Sequence, residues 1–330
     1  MGGDLAPAAT VEGALRAHRE RGVGVLLVGD EPRLKAELHR LGAGPSELGI
    51  RHASETVAMD EAPGQALRKK KDSSIRVAFD LVARGECAGM VSAGNSGAVL
   101  AGALFVLGRL DHVDRPCIGG TLPTLVGRAV LVDMGANVGC TPLQLVQFAL
   151  MGEVYAREVL GAARPRVGVV ANGEEEGKGT DLTRAAAAAL RRPESGVQFA
   201  GYVEGKDVFS GDFDVIATDG FTGNVLLKTA EGAVWAVGQL LKRQIQSSSL
   251  ASAGALLLKS QLEQVKKRVD YEEVGGAPLL GVRGVAMIAH GRSTHRAILN
   301  ALSAAEALAQ RHLQDQLSKA ARRGVDLFGA

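Results

Sequence analysis

Five times along this chain, a short apolar run ends abruptly in a small polar turn that contains glycine. A helix-like stretch follows each turn, and the turns occupy residues 93–97, 133–137, 171–178, 218–224 and 289–293. Strand-like runs that alternate with helix-like stretches are typical of an α/β fold with a parallel sheet. In such sheets, ligands bind at the carboxyl ends of strands, where helix N-termini present free backbone N–H groups. The five turns therefore predict one shared cleft for a phosphate-like anion.

The composition is that of a soluble, cytoplasmic protein. A chain of 330 residues with 46% apolar content can bury a large core, in one domain or in two that are closely joined. The net charge of +2 gives no general attraction to nucleic acid. The cysteines Cys87, Cys117 and Cys140 have no CxxC spacing, which favours a reducing compartment. No apolar run approaches the roughly 18 residues of a membrane span or forms a signal peptide.

Residues 234–270 interrupt the alternation and predict a helical hairpin. One apolar stripe runs from Val234 to Ile245, and a second runs from Leu258 to Val269. The uncharged segment 247–258 lies between them and is flanked by lysines and arginines. The hairpin is open to three interpretations: a dimerisation arm, a helix pair packed on its own domain, or a tip that enters an anionic membrane surface.

The N-terminus carries a further glycine turn, Met1-Gly-Gly-Asp4, which leads into a helix-like segment at 10–20. No strand precedes this turn in the sequence, unlike the other five. We expect either an unusual tether for the turn or an upstream strand that is missing.

Three of the turns carry side chains suited to a phosphate or a carbonyl group. Asn95 and Ser96 could add hydrogen bonds to an anion, although both are also common helix caps. The loop 219–224 combines a carboxylate, a hydroxyl and an amide, but a simple capped turn would look the same. Lys178 follows three glutamates and could neutralise phosphate charge, whereas such charged runs usually form solvated loops. Adjacent glutamates point apart and no histidine lies nearby, so no metal site is predicted.

Other reaction classes lack their motifs. The sequence contains no Walker loop and no GxGxxG after a strand, and no histidine motif accompanies the cysteines. We therefore predict no nucleotide cofactor and no cysteine nucleophile. The basic run 68–71 is either ordinary solvated surface or a contact for an acidic protein.

Taken in order, the motifs resemble the bacterial phosphate acyltransferases of the PlsX type over nearly the whole chain. They are Met1-Gly-Gly-Asp-x-x-Pro7, Arg68-Lys-Lys-Lys-Asp-Ser-Ser74, Gly94-Asn-Ser-Gly97, Leu107-Gly-Arg109, Arg115-Pro116, Asp133-x-Gly-Ala-Asn137, Gln147-Phe-Ala-x-Met-Gly152, Asn172-Gly-Glu-Glu-x-x-Lys-Gly179, Val203-Glu-Gly205, Asp219-Gly-Phe-Thr-Gly-Asn224 and His290-Gly-x-Ser293. The family usually has a strand before its Met-Gly-Gly-Asp motif, so the resemblance implies that one is missing here.

The resemblance implies a single α/β domain over 1–330, with a Rossmann-like α/β/α core, a mostly parallel sheet and a protruding helical hairpin, related in fold to phosphotransacetylases. It also implies a homodimer that makes acyl-phosphate from acyl carrier protein thioesters and inorganic phosphate without a cofactor. Such a protein works in the cytoplasm at the inner face of the membrane and passes acyl-phosphate to a glycerol-3-phosphate acyltransferase. The hairpin 234–270 would serve dimerisation and membrane contact.

The required chemistry assigns roles to individual residues. Phosphate is already an anionic nucleophile, so it needs desolvation, orientation and a site for the developing oxyanion rather than a strong base. We expect Lys178 and Asn224 to be catalytic. The expected phosphate or thioester contacts are Asp4, Asn95, Ser96, Gly97, Asn137, Glu174, Asp219, Thr222, Gly223 and His290. The expected carrier-protein contacts are Arg68, Lys69, Lys70, Lys71, Arg109 and Arg115, and the expected membrane tip consists of Leu250, Leu256, Leu257 and Leu258.

Two rival functions remain open at this stage. A phosphotransacetylase that uses acetyl-CoA would need the same phosphate site but no apolar tip. A non-catalytic membrane scaffold would account for the tip but not for five polar turns.

Overall fold

A computed structural model describes residues 1–44, 46–269 and 271–329 of the chain. Its α-helices are α1 Ala8–Arg21, α2 Glu31–Arg40, α3 Pro63–Lys69, α4 Ser74–Ala83, α5 Ser96–Gly102, α6 Pro142–Leu160, α7 Asp181–Arg191, α8 Gly220–Gln246, α9 Ser249–Leu257, α10 Lys259–Val269, α11 His295–Arg311 and α12 Gln314–Gly329. Its strands are β1 Leu26–Gly29, β2 Gly49–His52, β3 Gly89–Ser92, β4 Cys117–Pro123, β5 Arg128–Val132, β6 Arg166–Val170, β7 Gln198–Val203, β8 Val215–Ala217, β9 Ala277–Leu280 and β10 Val285–Ile288.

The strands form a large sheet of eight and a small parallel sheet, β1–β2. The order in the large sheet is β3-β10-β9-β4-β5-β8-β6-β7. The strand pairs on both flanks of the sheet are parallel. On one flank β3 pairs with β10, and on the other β5 pairs with β8, β8 with β6, and β6 with β7. In the middle, β9 and β4 are antiparallel to each of their neighbours. The prediction of a mostly parallel α/β sheet is confirmed.

The central antiparallel pairs divide the strand ends between two edges of the sheet. Three successive reversals make β10 and β5 run in opposite directions. The carboxyl ends of β3 and β10 therefore lie at one edge of the sheet, and those of β5, β6, β7 and β8 lie at the other. The five turns therefore do not all follow strand ends at one edge of the sheet, since strand direction depends on long-range pairing that local patterns do not encode. The single cleft stays a prediction.

Helices cover both faces of the sheet around β5. Val130 and Val132 belong to the buried cluster that contains α6, whereas Leu131 belongs to another cluster. Alternate residues of a strand point to opposite faces, so β5 is the middle of three layers. Leu226 of α8 packs against the second cluster and places α8 on the face opposite α6.

The local sequence explains where α6 begins and ends. Thr141 and Gln144 form a capping box, in which each side chain bonds the other's backbone N–H. Pro142 occupies the first turn, where no N–H is needed, and Gly161 ends the helix in the left-handed conformation. The helix lies across β5 and β8 and packs on α12, so it forms the centre of the largest core cluster.

Segment 234–270 differs in detail from the predicted hairpin. Its uncharged middle is itself a helix, α9, which lies between α8 and α10 in the chain. Leu250, Leu256, Leu257 and Leu258 are 85%, 72%, 84% and 56% exposed, respectively. Residue 270 lies outside the described residues. Among the helices that the structure describes, none is both long and apolar enough to cross a membrane.

The C-terminal region consists of two helices, α11 and α12. His312 separates α11 from α12 in a left-handed backbone conformation with φ of 49°. Both helices bury one face, with Leu308 on α11 and Leu317 on α12 in the main core.

Candidate active site

The buried carboxylate of Asp133 organises the turn that follows β5. Its Oδ1 accepts hydrogen bonds from the backbone N–H groups of Ile118, Gly135 and Ala136, at 2.9, 3.2 and 3.1 Å. Its Oδ2 accepts from the backbone N and the side-chain Nδ2 of Asn137, at 2.7 and 2.9 Å. Burial raises the pKa of Asp133, and these donors oppose the rise. Every partner is a hydrogen-bond donor, and an ionised carboxylate only accepts, so the ionised form of Asp133 can make all of these hydrogen bonds.

The start of α8 packs directly on this turn. The backbone N–H of Gly220 donates to the carbonyl oxygen of Asn137 at 2.7 Å. A Cβ at Gly220 would lie 2.5 Å from that oxygen, and a Cβ at Gly223 would overlap the carbonyl oxygen of Asp133. Both positions therefore require glycine because two segments of backbone approach each other closely.

Asp219 caps α8. Its Oδ1 accepts from the Thr222 backbone N–H at 2.9 Å, and its Oδ2 accepts from the Thr222 hydroxyl at 2.7 Å. The capping side chain is thus Asp219, with Thr222 as its partner. The Asp219 carboxylate compensates the partial positive charge of the helix N-terminus.

A polar stripe runs along one face of α8. Asn224, Lys228 and Glu231 lie at i, i+4 and i+7, so their side chains share that face. Asn224 lies against the 133–137 turn, where a Cβ at Gly135 would be 3.5 Å from the Asn224 Cβ. Lys228 Nζ lies 2.9 Å from Glu231 Oε2. We call these three residues the α8 stripe.

The α8 stripe ends at the turn that follows β10. Lys228 Nζ is 3.3 Å from His290 Nε2, and His290 Nδ1 accepts from the Arg292 backbone N–H at 3.1 Å. Burial, and then the charge of Lys228, lower the pKa of His290. Asp4 joins this turn, since its backbone N–H donates to the Gly291 carbonyl oxygen at 2.8 Å. One helix thus connects turns from the two opposite edges of the sheet.

Asn95 plays a structural part in the turn after β3. It is 7% exposed, and its Nδ2 donates to the carbonyl oxygens of Ala58, Met59 and Glu61, each at 3.1 Å. Its Oδ1 accepts from the Ala98 backbone N–H at 3.0 Å and caps α5. These bonds engage the amide of Asn95 at both ends, so it positions the turn rather than offering a free group.

The neighbours of Asn95 differ in exposure. Ser96 presents an exposed side chain at the first residue of α5. The backbone of Gly97 lies close to Pro63, since a Cβ at Gly97 would be 2.6 Å from the Pro63 Cγ. The preceding Gly94 touches the N-terminal turn, since a Cβ at Gly2 would lie 2.6 Å from the Gly94 Cα. The N-terminal turn and the turns after β3 and β10 therefore form one group.

Lys178 lies in the loop after β6, at the same sheet edge as the start of α8 because β6 pairs in parallel with β8. Its side chain is exposed, and it forms no ion pair within residues 1–44, 46–269 and 271–329. Glu174 in the same loop pairs with Lys206 at 3.0 Å. The hydrogen bonds of the described residues do not connect Lys178 to the α8 stripe.

The carboxylates of Glu174, Glu204 and Asp207 lie within 4.8 Å of one another. Lys206 Nζ is 3.0 Å from both Glu174 and Glu204, and these bonds raise its pKa. Lys206 thus already supplies the positive charge that this cluster needs.

Nine of the twelve expected catalytic and substrate-contact residues fall into two kinds. Exposed polar side chains that could meet a ligand are Asp4, Ser96, Lys178, Asn224 and His290. Asn95, Asn137, Asp219 and Thr222 use their polar groups to hold turns in place. Sequence reasoning missed two residues, Asp133 as the centre of a turn and Lys228 as the link to His290. The i, i+4 spacing of Asn224 and Lys228 was the signal available for the second.

Some of the basic residues that are expected to contact the carrier protein already make contacts within this protein. Lys70 pairs with Glu61 at 2.6 Å, and Arg109 bonds the carbonyl oxygen of Asp114. Arg68 lies over the Phe105 ring at 5.8 Å. The exposed residues Lys69, Lys71 and Arg115 form no ion pair with any residue that the structure describes.

The fold defines a class of protein. The phosphotransacetylase of Streptococcus pyogenes has a similar structure, with a TM-score of 0.59 over 92% of both chains at 17% identity. The EutD phosphotransacetylase of Staphylococcus aureus matches with a TM-score of 0.54 over 89% of both chains at 14% identity. The chain thus has a phosphotransacetylase-like α/β fold.

Sequence comparison specifies the family. Residues 1–316 match the family described as "Fatty acid synthesis protein". The chain is 57% identical over 321 residues to the phosphate acyltransferase of Anaeromyxobacter sp. (strain Fw109-5), covering 97% of this chain and 89% of the relative. It is 49% identical over 328 residues to that of Geotalea uraniireducens, covering 99% and 94%, respectively. The chain belongs to the phosphate acyltransferase family, as the ordered motifs predicted.

Proposed function

We propose that the protein transfers an acyl group from acyl carrier protein to inorganic phosphate, and that the α8 stripe, the turns at its two ends and the loop that carries Lys178 form the reaction site. Membership of the phosphate acyltransferase family supports the reaction and its thioester substrate. The observation that carries the site is the path of α8 from the Asp133 turn to His290. This path presents amide, ammonium and imidazole groups along one exposed face.

A phosphate oxygen attacks the thioester carbonyl carbon, a tetrahedral oxyanion forms, and the C–S bond then breaks to release the carrier thiolate. A thiol has a reference pKa of about 8.5, so its thiolate leaves without a strong acid. The nucleophile is already anionic, so the protein's task is orientation and charge stabilisation. The products are acyl-phosphate and the free carrier, and no cofactor takes part.

Each exposed group has a part in this scheme. Lys178 supplies positive charge to phosphate, and the Asn224 Nδ2 donates a hydrogen bond to the developing oxyanion. Asp4, Ser96, Glu174 and His290 line the path of the substrates, and Gly223 allows α8 to pack on the backbone of Asp133. Asn95, Asn137, Asp219 and Thr222 hold the backbone of the turns, and Gly97 allows close approach at α5. Lys178 has no ion pair among the described residues, which leaves its ammonium available to an anion.

The exposed residues support a proposal about the partners of the enzyme. Lys69, Lys71 and Arg115, with Arg68, Lys70 and Arg109 beside them, form the contact for the acidic carrier protein. The apolar stripes of α8 and α10 meet a second copy in a homodimer, and the leucines of α9 touch the inner face of the membrane. From this position in the cytoplasm, acyl-phosphate passes to a glycerol-3-phosphate acyltransferase.

The decisive experiment measures acyl-phosphate formation from palmitoyl carrier protein and phosphate. Lys178→Ala and Asn224→Ala should each lower kcat/KM at least about tenfold, as loss of a group that stabilises transition-state charge does. Lys319→Ala, at an exposed position on α12, is the matched control and should keep wild-type activity. Wild-type rates in both site variants would refute these two roles.

The thioester that the protein prefers as acyl donor distinguishes this function from that of a phosphotransacetylase. A phosphotransacetylase would turn over acetyl-CoA with phosphate faster than palmitoyl carrier protein. A protein that consumes neither thioester in a phosphate-dependent manner would be a membrane scaffold rather than an enzyme.

A further inference from the structure

The one tryptophan of the chain, Trp235, lies on the helix that carries the proposed reaction site. It follows Lys228 by seven residues and Glu231 by four, so its side chain extends the α8 stripe by one turn. Trp235 is 68% exposed. Tryptophan is enriched at binding surfaces, because its ring offers a large apolar area at a small cost in conformational entropy. Its position on the face of the α8 stripe therefore favours a role in substrate binding.

Uncharged residues adjoin the α8 stripe on the same side of the helix. Val225 is exposed and lies three residues before Lys228. Gly232 lies three residues before Trp235, and a Cβ at Gly232 would meet nothing within 4 Å. Because residues three and seven positions apart share a helix face, Val225, Gly232 and Trp235 form an open line beside the α8 stripe. We call these three residues the α8 apolar line.

The α8 apolar line differs from the apolar stripe that begins at Val234. Each residue turns an α-helix by about 100°, so the side chains of Val234 and Val237 point roughly 100° and 160° away from that of Trp235. The stripe that is proposed to meet a second copy therefore lies on a different face of α8 from Trp235.

The face of α8 that carries Trp235 has a polar part and an apolar part. The polar part contains Asn224 and Lys228, whose Nζ lies 3.3 Å from His290 Nε2. The apolar part contains Gly232 and Trp235. Acyl thioesters and acyl-phosphates have the same division, since a polar carbonyl or phosphate group joins an uncharged hydrocarbon chain. A substrate whose phosphate faces the ammonium would therefore place its chain toward the indole.

The distance from Asn224 to Trp235 suits a long chain. Eleven residues with a rise of 1.5 Å each extend about 16 Å along the axis. The hydrocarbon core of a membrane is about 30 Å thick and contains two layers of acyl chains, so one chain spans about 15 Å. In the opposite direction α8 begins at Gly220, four residues before Asn224. The direction toward Trp235 is the one along α8 that matches a long chain.

We propose that Trp235 binds the distal part of the acyl chain and thereby gives the enzyme a preference for long-chain thioesters. The thioester carbonyl lies at Asn224, the chain follows Val225 and Gly232, and the indole covers methylene groups near the end of the chain. This inference rests on the proposed function and adds the class of acyl chain to it. Trp235 determines specificity and takes no part in bond making or breaking.

The first test compares thioesters of six and sixteen carbons on the carrier protein. Trp235→Ala should lower kcat/KM for palmitoyl carrier protein about tenfold and leave the value for hexanoyl carrier protein within about twofold, because the short chain ends before the indole. Trp235→Phe should restore most of the loss, since an aromatic ring remains. The matched control is Leu240→Ala, because Leu240 is 62% exposed on the same helix but points about 140° away from Trp235. This control should leave the ratio of the two kcat/KM values unchanged.

The second test measures binding through the fluorescence of Trp235, which the chain's single tryptophan makes specific. Dodecylphosphonate, below its micelle-forming concentration, should shift the emission maximum to shorter wavelength as the chain covers the indole. Butylphosphonate has the same head group and should leave the emission unchanged, because its chain does not reach Trp235. Lys228→Met should raise the Kd of dodecylphosphonate about tenfold, since the phosphonate loses its charged partner.

The outcomes separate this inference from the proposed function. If the wild type consumes no thioester with phosphate, the proposed function fails, and the fluorescence titration alone decides whether α8 binds a chain. An emission maximum that dodecylphosphonate leaves unchanged would overturn the inference.

The variants can overturn the inference in two further ways. If Trp235→Ala lowers kcat/KM equally for both thioesters, or dissociates a dimer in sedimentation, Trp235 serves the structure rather than the chain. If Phe221→Ala lowers the palmitoyl value selectively and Trp235→Ala does not, the chain runs toward the start of α8 and the inference is wrong.

Discussion

The Nζ of Lys228 lies 3.3 Å from the Nε2 of His290, and this contact joins two regions that the sheet topology separates. Lys228 belongs to a helix that starts at the carboxyl end of β8, whereas His290 follows β10, which runs in the opposite direction. A rise of about 1.5 Å per residue carries α8 some 12 Å from Gly220 to Lys228. The antiparallel strands in the middle of the sheet therefore do not prevent the turns from sharing one surface.

Removal of the ammonium should change the titration of His290. In Lys228→Met, the pKa of His290 should rise toward its ordinary value of about 6.5 but not reach it, because burial lowers it more than Lys228 does. NMR titration of the imidazole measures this change, with Lys319→Met as the control. An unchanged His290 pKa would contradict the contact.

The same shift predicts how stability depends on pH. A depressed His290 pKa means that the unfolded chain binds more protons between the folded pKa and about 6.5. The contribution of His290 to stability should be fully present above pH 6.5 and fall as the pH drops through that window. A His290→Gln variant should show a smaller loss of stability than wild type between pH 6.5 and 5 in urea unfolding. Identical pH profiles would show that His290 does not contribute.

Asp133→Asn should destabilise the protein by about 2 to 4 kcal/mol. All the partners of this carboxylate are N–H donors, so an amide nitrogen at Oδ1 or Oδ2 would face donors and leave buried groups unpaired. Chemical denaturation gives the free energy of unfolding. Asp326→Asn on the exposed surface of α12 is the control and should change it by less than about 0.5 kcal/mol. Equal free energies for the two variants would refute the role of Asp133.

Gly223→Ala and Gly232→Ala make a matched pair on one helix. A Cβ at Gly223 would overlap the carbonyl oxygen of Asp133, whereas a Cβ at Gly232 would meet nothing within 4 Å. We expect Gly223→Ala to lower acyl-phosphate formation and the thermal midpoint together. Gly232→Ala should stabilise α8 by up to about 1 kcal/mol, because alanine favours helix. If Gly223→Ala changed neither acyl-phosphate formation nor the thermal midpoint, the 133–137 turn and α8 would be able to move apart and make room for the added methyl group.

Local patterns in the sequence predicted the elements better than their arrangement. The strand ends, the glycine turns and the position of α8 follow from apolar runs and turn residues, which act over a few positions. The reversal at β9 and β4 depends on pairing between strands distant in sequence, such as Cys117 with Leu280, and no local pattern carries it. Asp133 appeared as an ordinary turn residue because its role depends on donors that converge only after folding.

Two leucines of α9 offer a test of membrane contact that leaves the fold intact. Leu250 and Leu257 are 85% and 84% exposed, so Leu250→Ser/Leu257→Ser should leave the thermal midpoint unchanged. Insertion of each leucine into the lipid interface is favourable by up to about 2 kcal/mol. The double variant should therefore bind anionic phosphatidylglycerol vesicles about tenfold or more weakly in co-sedimentation. Leu125→Ser, at a position 79% exposed on the β4–β5 loop, should bind like wild type. If the double variant also binds like wild type while its dimer dissociates, α9 serves the interface between subunits instead of the membrane.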